Sequence, residues 1–252
     1  SEKNWMKSTN NSERPGAYEV MSNVADREST ALSFGFNQTI NENDTVGFIA
    51  GIADEENGFL GLRGTGAFTL KGAKTETIFS GVNYSSKVSE TFSLRASALF
   101  ASSQMDNQSN TMFYGSEDVT SDSYSLIGEK SNVFGNDKLE FAISQPNRVS
   151  SGSMNIRLSN LADMDGNITY TNKRISLDPS GRQIDVAFAY AKKFSKDFVM
   201  STKFTQTSNL NHIKSSEKEY SSFVGAKYKK FLFGAAHMPY EDEFIFSYST
   251  QF

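Results

Sequence analysis

Apolar and polar side chains alternate along the chain in short runs that are separated by polar turns. The end of the chain shows this best, because Phe244, Phe246, Tyr248 and Phe252 share one face with Thr250. Successive side chains of a β-strand point to opposite faces, so a period of two residues indicates strands. The pattern predicts an all-β protein.

Charged residues in these runs fall in mid-strand, on the face that lacks aromatic side chains. A soluble β-sandwich accounts for one such strand, but a long series without an intervening helical segment favours a transmembrane barrel, in which only every second residue faces lipid. We therefore expect an antiparallel transmembrane β-barrel of about 12–14 strands. The clearest further runs are residues 91–101, 138–144, 153–158, 182–190 and 198–204.

Composition agrees with a barrel and excludes several other classes. The 252 residues have a mean hydropathy of -0.46, and no run has the roughly 18–20 apolar residues of a membrane helix. A net charge of -4 gives no basic footprint for nucleic acid, and a chain without cysteine has neither disulfides nor thiolate metal sites. The chain begins with Ser1-Glu2-Lys3-Asn4, which is not a signal peptide, so we expect that a leader was removed or that the chain starts after a cleavage.

Connections of two lengths alternate along the chain. Outer-membrane barrels have short periplasmic turns and long outside loops, so we expect a bacterial outer-membrane location with the long loops outside and a periplasmic C-terminus. Residues 28–252 form the predicted barrel, and residues 1–27 form an extra strand near Ala17 to Val24, a segment in the lumen, or a disordered segment. The short connections are 41–44, 86–90, 135–137 and 194–197, and the long ones are 54–74, 105–121 and 207–219.

The mid-strand charges are the candidate functional residues. An outward Arg or Lys at the bilayer midplane costs about 2–4 kcal/mol, which favours an inward position. They line a polar lumen that solutes or a polypeptide can traverse, or they form ion pairs that plug and stiffen the barrel. The predicted lumen-facing set is Arg95, Glu140, Arg157, Arg182, Asp185, Lys203 and Lys227.

The aromatic face of the last strand suggests an insertion signal. A terminal aromatic residue after an alternating strand resembles the signal by which outer-membrane barrels are recognised for insertion. The predicted partners are therefore outer-membrane lipid, lipopolysaccharide and the barrel-assembly machinery. The residues concerned are Phe244, Phe246, Tyr248 and Phe252.

No residue pattern predicts catalysis, a cofactor or a metal. A Ser–His–acid hydrolase needs a nucleophile that is hydrogen-bonded to a base, and neither His212 nor His237 lies in a recognisable motif. Glu55-Glu56 and Glu117-Asp118 lack the spacing of a calcium loop. We interpret these residues as ordinary loop or rim groups.

Three stretches resemble the barrel domain of subtilase-type (S8) serine-protease autotransporters, in their order and spacing as well as in sequence. They are the glycine-rich residues 60–68, the segment 141–153 with Ser144-Gln145-Pro146-Asn147-Arg148-Val149, and the segment 177–185 with Pro179-Ser180-Gly181-Arg182. The resemblance covers residues 45–231. Pro146 suits the end of a strand, and Pro179 with Gly181 suits a tight connection, so these elements indicate architecture.

The resemblance implies a translocator that anchors and exports an N-terminal passenger, with any protease activity in that upstream passenger. Family members end near Phe231, whereas this chain continues for 21 residues to Phe252. The alternatives are a stand-alone porin or channel, and a barrel that anchors a surface or adhesive assembly or a partner subunit.

Overall fold

The structure is a computed structural model, and it describes residues 29–60, 70, 72–106, 112–161, 165–239 and 241–248. The predicted segment 1–27 and Phe252 lie outside the described residues. Within the described ranges, no helix is long and apolar enough to cross a membrane.

Strands make up 74% of the described chain, which confirms the all-β, antiparallel class, and their total of fourteen lies within the expected count. Eleven strands form one sheet, in which neighbours along the chain pair with each other. They are β1 (Ser29–Thr39), β2 (Asp44–Glu56), β3 (Lys74–Ser89), β4 (Phe92–Met105), β6 (Val119–Ser131), β7 (Asp137–Ser151), β10 (Ile184–Lys193), β11 (Phe198–Ser208), β12 (Lys218–Tyr228), β13 (Phe231–Met238) and β14 (Glu241–Tyr248).

A smaller sheet holds the other three strands, β5 (Phe113–Ser116), β8 (Ser153–Ser159) and β9 (Tyr170–Ser176). The sequence pattern placed residues 153–158 in the wall of the barrel, and this is wrong. Gly152, at φ 134°, interrupts the strand after Ser151, and β8 pairs with β5 and β9 instead. Alternation shows that a segment is a strand, but it does not show which sheet the strand joins.

The connections define two ends of the large sheet. At the short-turn end lie residues 40–43, 90–91, 132–136, 194–197 and 229–230. The opposite, long-loop end is where the chain leaves β2, β4, β7 and β11 for its long connections, and where a short connection joins β13 to β14. Side chains and positive φ angles build the tight turns: Asn41 accepts hydrogen bonds from the backbone N–H groups of Asn43 and Asp44, and Gly135 and Asn136 have φ angles of 83° and 53°.

The large sheet has an apolar face and a polar face. Phe141, Phe188 and Phe204 lie opposite one another on three successive strands of the apolar face, and each is nearly half exposed. Phe34 on β1 is 72% exposed. A contiguous aromatic surface of this kind marks a membrane or protein interface, because soluble monomers rarely expose one.

The buried apolar core lies at the long-loop end instead of in the middle of the sheet. Its members are Phe59, Leu70, Ala73, Met105, Val119 and Met154. They come from the ends of wall strands, from the connection between β2 and β3, and from the small sheet. The long connections therefore fold over this end of the sheet.

Candidate functional site

A continuous row of polar or small residues crosses the polar face, one on each of nine successive strands. We call it the polar belt. Two pairs of neighbours within it are joined by side-chain hydrogen bonds: Ser97 to Ser125 at 2.8 Å, and the Thr207 hydroxyl, which donates to Asp185 at 2.7 Å. The belt consists of Asn37, Gly47, Asn83, Ser97, Ser125, Ser144, Asp185, Thr207 and Glu219.

Four charged side chains lie beside the belt and form a cluster that we call the charge cluster. Glu129 on β6 and Glu140 on β7 are directly opposite each other, an arrangement that repels. The Arg95 Nη2 atom lies 3.5 Å from Glu140 and 3.8 Å from Glu129, and the Lys138 Nζ atom lies 2.9 Å from Glu129. Two positive and two negative charges thus balance, which makes the pair of facing carboxylates tolerable.

The large sheet brings five residues of the predicted lumen-facing set to its polar face. Arg95 and Glu140 belong to the charge cluster and Asp185 to the polar belt. Lys203 lies opposite Ala189 and Phe223, and Lys227 lies opposite Val199 and Leu232; the side chains of both lysines are exposed.

The other two residues of that set lie elsewhere. Arg157 is on β8 of the small sheet, where its guanidinium group lies 5.1 Å from the centre of the Tyr114 ring and 5.8 Å from that of Tyr170. Arg182 precedes the first residue of β10, Ile184, and lies in the connection. The alternating pattern of β10 begins before the strand itself, in residues that pair with no other strand. The pattern therefore predicted a strand position for Arg182, whereas the structure places this residue in the connection.

Sequence analysis missed Glu129. Its strand carries Ile127, 7% exposed, on the polar face, and Gly128 on the apolar face, so the local alternation is poor. Only the register of β6 against β7 places Glu129 opposite Glu140, and one sequence does not show that register.

Near the long-loop end, part of the polar face is covered. Thr75, Met105 and Val119 lie on this face and are almost fully buried beneath Phe59 and Met154. The Thr75 hydroxyl donates to the Gly58 carbonyl at 2.7 Å, which fixes the connection above it. The polar belt is therefore more open towards the short-turn end.

Two of the family-like stretches meet at the long-loop rim in a group that we call the rim clasp, consisting of Arg148, Asp178, Gly181, Gln183 and His212. The Arg148 guanidinium group donates to Asp178 at 2.7 Å and to the Gly181 carbonyl at 3.1 Å. A Cβ atom on Gly181 would lie 2.7 Å from the Lys214 nitrogen, so a larger residue would displace that connection. The motifs thus have a structural role in this chain.

His212 joins three connections within the rim clasp. Its Nδ1 atom accepts the Gln183 backbone N–H at 3.0 Å, and its Nε2 atom lies 3.0 Å from the Asn147 carbonyl. This geometry fits a neutral ring protonated at Nε2. Partial burial lowers the pKa of His212, and the nearby Arg148 charge acts in the same direction, while the hydrogen bond to Asn147 opposes the shift.

Two of the predicted insertion residues, Phe244 and Phe246, lie on the apolar face of the last strand. Phe244 is 89% exposed and Phe246 is 65% exposed. The Phe246 ring lies 5.2 Å from that of Phe233, and Tyr248 pairs with Phe231.

Two of the remaining candidate groups, His237 and Glu117, have structural partners. His237 Nδ1 lies 2.6 Å from Asp242, and Glu117 forms an ion pair with Arg174. In the ranges given above, no three acidic, histidine or cysteine side chains are grouped so that they could hold a metal ion.

No family model matches the chain, and no curated protein matches it. A solved structure described as "CymD monoaromatic hydrocarbon channel" aligns over 82% of this chain and 72% of its own, with a TM-score of 0.41 and 11% identity. A likeness of this size carries no inference about what this chain binds or transports.

Proposed function

We propose that the chain forms a β-barrel of the bacterial outer membrane and that its polar face lines a water-filled passage for small polar solutes. The observation that carries the proposal is the polar belt on one face of a sheet whose other face exposes aromatic rings. Lipid-facing and lumen-facing residues alternate in this way in transmembrane barrels.

The charge cluster gives the passage its electrical character. Arg95, Lys138, Glu129 and Glu140 balance, so the native passage discriminates weakly between small anions and cations. The exposed Lys203 and Lys227 add positive charge on the other side of β10. Small hydroxyl and amide side chains along the belt can replace part of a solute's hydration shell.

This function implies an orientation and partners. The long loops face the outside, where they meet lipopolysaccharide, and the last strand engages the barrel-assembly machinery during insertion. No step in this function requires a catalytic group.

Single-channel recording in planar bilayers tests the proposal. The double variant Glu129→Gln and Glu140→Gln leaves Arg95 and Lys138 unbalanced, so the reversal potential in a salt gradient moves towards anion preference. A charge 8 Å from a permeating ion in water changes its energy by about 0.5 kcal/mol, so the permeability ratio changes by roughly twofold for each carboxylate.

Glu42→Gln is the matched control, because Glu42 lies in an exposed turn at the short-turn end, away from the cluster. We expect little change from it. Reconstituted wild-type protein that conducts no ions would contradict the channel proposal.

A translocator that exports a passenger is the second candidate. The contact between the stretches around Arg148 and Gly181 supports it, since both resemble the autotransporter barrel. The coding frame upstream of Ser1 separates the candidates: a subtilisin-like domain there supports export, and a signal peptide ending near Ser1 supports a stand-alone channel or a surface anchor.

A further inference from the structure

An aromatic side chain lies on the polar face of the large sheet, outside both the polar belt and the charge cluster. Phe223 on β12 is directly opposite Lys203 on β11. Glu219 of the polar belt lies four residues earlier on the same strand, so its side chain and that of Phe223 point to the same face. The polar face therefore carries an apolar group in mid-strand that the passage of small polar solutes does not by itself explain.

Two glycines hold the Phe223 ring close to the sheet. Gly225 on β12 pairs with Gly234 on β13, and Gly225 is buried. A Cβ atom on Gly225 would lie 2.6 Å from the Phe223 Cζ atom, and a Cβ atom on Gly234 would lie 2.8 Å from Cε2. The ring thus covers both glycines and extends from Phe223 towards the short-turn end. Because Phe223 is only half-buried, part of the ring stays accessible from the passage.

Two exposed lysines lie at either end of this ring. Lys203 is opposite Phe223, where the ring begins, and Lys227 is two residues beyond Gly225 on the same face of β12. The rise of a strand puts the Cα atoms of Phe223 and Lys227 about 13 Å apart. In the ranges that the structure describes, neither lysine forms an ion pair. Both ammonium groups are thus available to an anion.

The two carboxylates in the same row of the sheet do not neutralise these lysines. Glu140 lies two strands from Lys203 and contacts Arg95. Glu243 lies two strands from Phe223 in the opposite direction. Neighbouring strands are about 4.8 Å apart, so two strands correspond to about 10 Å. This sector of the polar face therefore has excess positive charge, unlike the balanced charge cluster.

Aliphatic side chains extend the apolar surface around the ring. Val199 and Leu232 lie opposite Lys227 on the two neighbouring strands. Ile245 lies opposite Gly234 and is 37% exposed. An aromatic ring favours a second ring in stacked or edge-to-face contact, and an ammonium group favours a carboxylate. The solute that fits both is a small organic acid with one ring and one carboxylate.

We propose that Lys203, Phe223 and Lys227 form a binding site for small aromatic carboxylates. The proposal rests on the proposed function, because it places the site in the wall of the passage, and it narrows the class of solute. The ring of the solute packs against Phe223 while its carboxylate binds one of the lysines. A solute released by one lysine can then bind the other, and conduction requires such binding at successive weak sites.

Binding to the full chain in lipid nanodiscs tests the proposal, whether or not the protein conducts. Benzoate is the probe, acetate is the control that keeps the carboxylate, and benzyl alcohol is the control that keeps the ring. Titration followed by ligand-observed NMR gives the three dissociation constants. We expect benzoate to bind at least about tenfold more tightly than either control, since only benzoate makes both contacts.

Variants assign the binding to the proposed residues. Phe223→Ala should weaken benzoate binding about tenfold and leave acetate binding unchanged, because it removes only the contact with the ring. The double variant Lys203→Gln and Lys227→Gln should weaken the binding of both anions but not that of benzyl alcohol. Phe204→Ala is the matched control, because Phe204 follows Lys203 on the opposite face of β11, where it is 46% exposed.

The lysine variants change exposed side chains, so they decide the result if Phe223→Ala does not fold. Equal affinities for benzoate and acetate would overturn the proposal, and so would benzoate binding that the lysine variants leave unchanged. A loss of binding in Phe204→Ala as large as that in Phe223→Ala would have the same consequence. Single-channel recording judges the channel separately: wild-type protein that conducts without preferring benzoate rejects only the site, and protein that prefers benzoate without conducting supports the site and rejects the passage.

Discussion

At the scale of single residues, His212 is the group in the rim clasp whose pKa is lowered from the ordinary histidine value. The neutral ring satisfies both contacts, since Nδ1 accepts from Gln183 and Nε2 faces the Asn147 carbonyl. Protonation places a hydrogen on Nδ1, which then points at the Gln183 N–H. The lowered pKa of His212 agrees with this conflict, because burial and the Arg148 charge both disfavour the imidazolium ion.

The sign of the pH dependence follows from the lowered pKa. The contribution of His212 to stability is present above the ordinary histidine pKa of about 6.5 and is lost as the pH falls through the folded-state value. We expect proteolysis of residues 209–217 to accelerate about fivefold in mild acid, as for the loss of one hydrogen bond of about 1 kcal/mol. In the His212→Gln variant, we expect the rate of proteolysis to depend much less on pH.

The second histidine provides the control for that measurement. His237 contacts Asp242 near the end of β13, far along the chain from the rim clasp. If His237→Gln removed the pH dependence of proteolysis and His212→Gln left it unchanged, His212 would not be the group that controls the stability of this connection.

The residue scale also shows what sequence can predict of the candidate site. Arg95, Glu140 and Asp185 lie at polar positions of runs that alternate cleanly between apolar and polar residues. The two-residue period of a strand therefore places them on the polar face. Glu129 is missed because its strand has an apolar residue, Ile127, on the polar face and a glycine, Gly128, on the apolar face, so the local sequence does not alternate clearly. The balance of charge in the cluster depends on strand register, which lies outside the local sequence.

At the scale of elements, the strands were more predictable than their partners. Short connections join consecutive strands, so the pairing of β3 with β4 and of β10 with β11 follows from proximity along the chain. The small sheet was not predictable, because β5, β8 and β9 come from two long connections whose contacts are distant in sequence.

The lipid-facing surface gives a prediction at the element scale. Ala98 lies on the apolar face in the middle of β4, and Ser97 lies beside it on the polar face. Ala98→Arg is expected to lower the free energy of unfolding from lipid vesicles by about 2–4 kcal/mol, the cost of Arg at the bilayer midplane. Ser97→Arg is expected to change it much less.

Depth along the same strand provides the control. Ser102 lies on the apolar face about 13 Å further along β4, nearer the long-loop end. Ser102→Arg should cost about 0–1 kcal/mol in a bilayer, because the cost falls near the interface. Equal costs at Ala98 and Ser102 would indicate a surface that protein covers instead of lipid.

At the scale of the whole molecule, strand direction relates the two edges of the large sheet. β1 leads into the short connection 40–43, and direction reverses at each step of the eleven-stranded antiparallel sheet, so β14 also runs from the long-loop end to the short-turn end. The register agrees, because Tyr248 pairs with Phe231, which directly follows the short connection between β12 and β13.

Assembly provides the last prediction, since Phe252 belongs to the predicted insertion signal and is expected to act in the recognition of the chain before the barrel forms. Phe252→Asp should reduce the yield of protein in the outer membrane at least about tenfold and abolish heat-modifiable migration in gels, because a charge replaces an aromatic side chain of the predicted insertion signal. Phe134→Asp is the matched control: Phe134 is also an exposed aromatic residue, 75% accessible, but it lies in the turn before β7. Normal yield and migration of the Phe252 variant would show that insertion does not depend on this residue, and the aromatic face of β14, with Phe244 and Phe246, would then serve only as lipid contact.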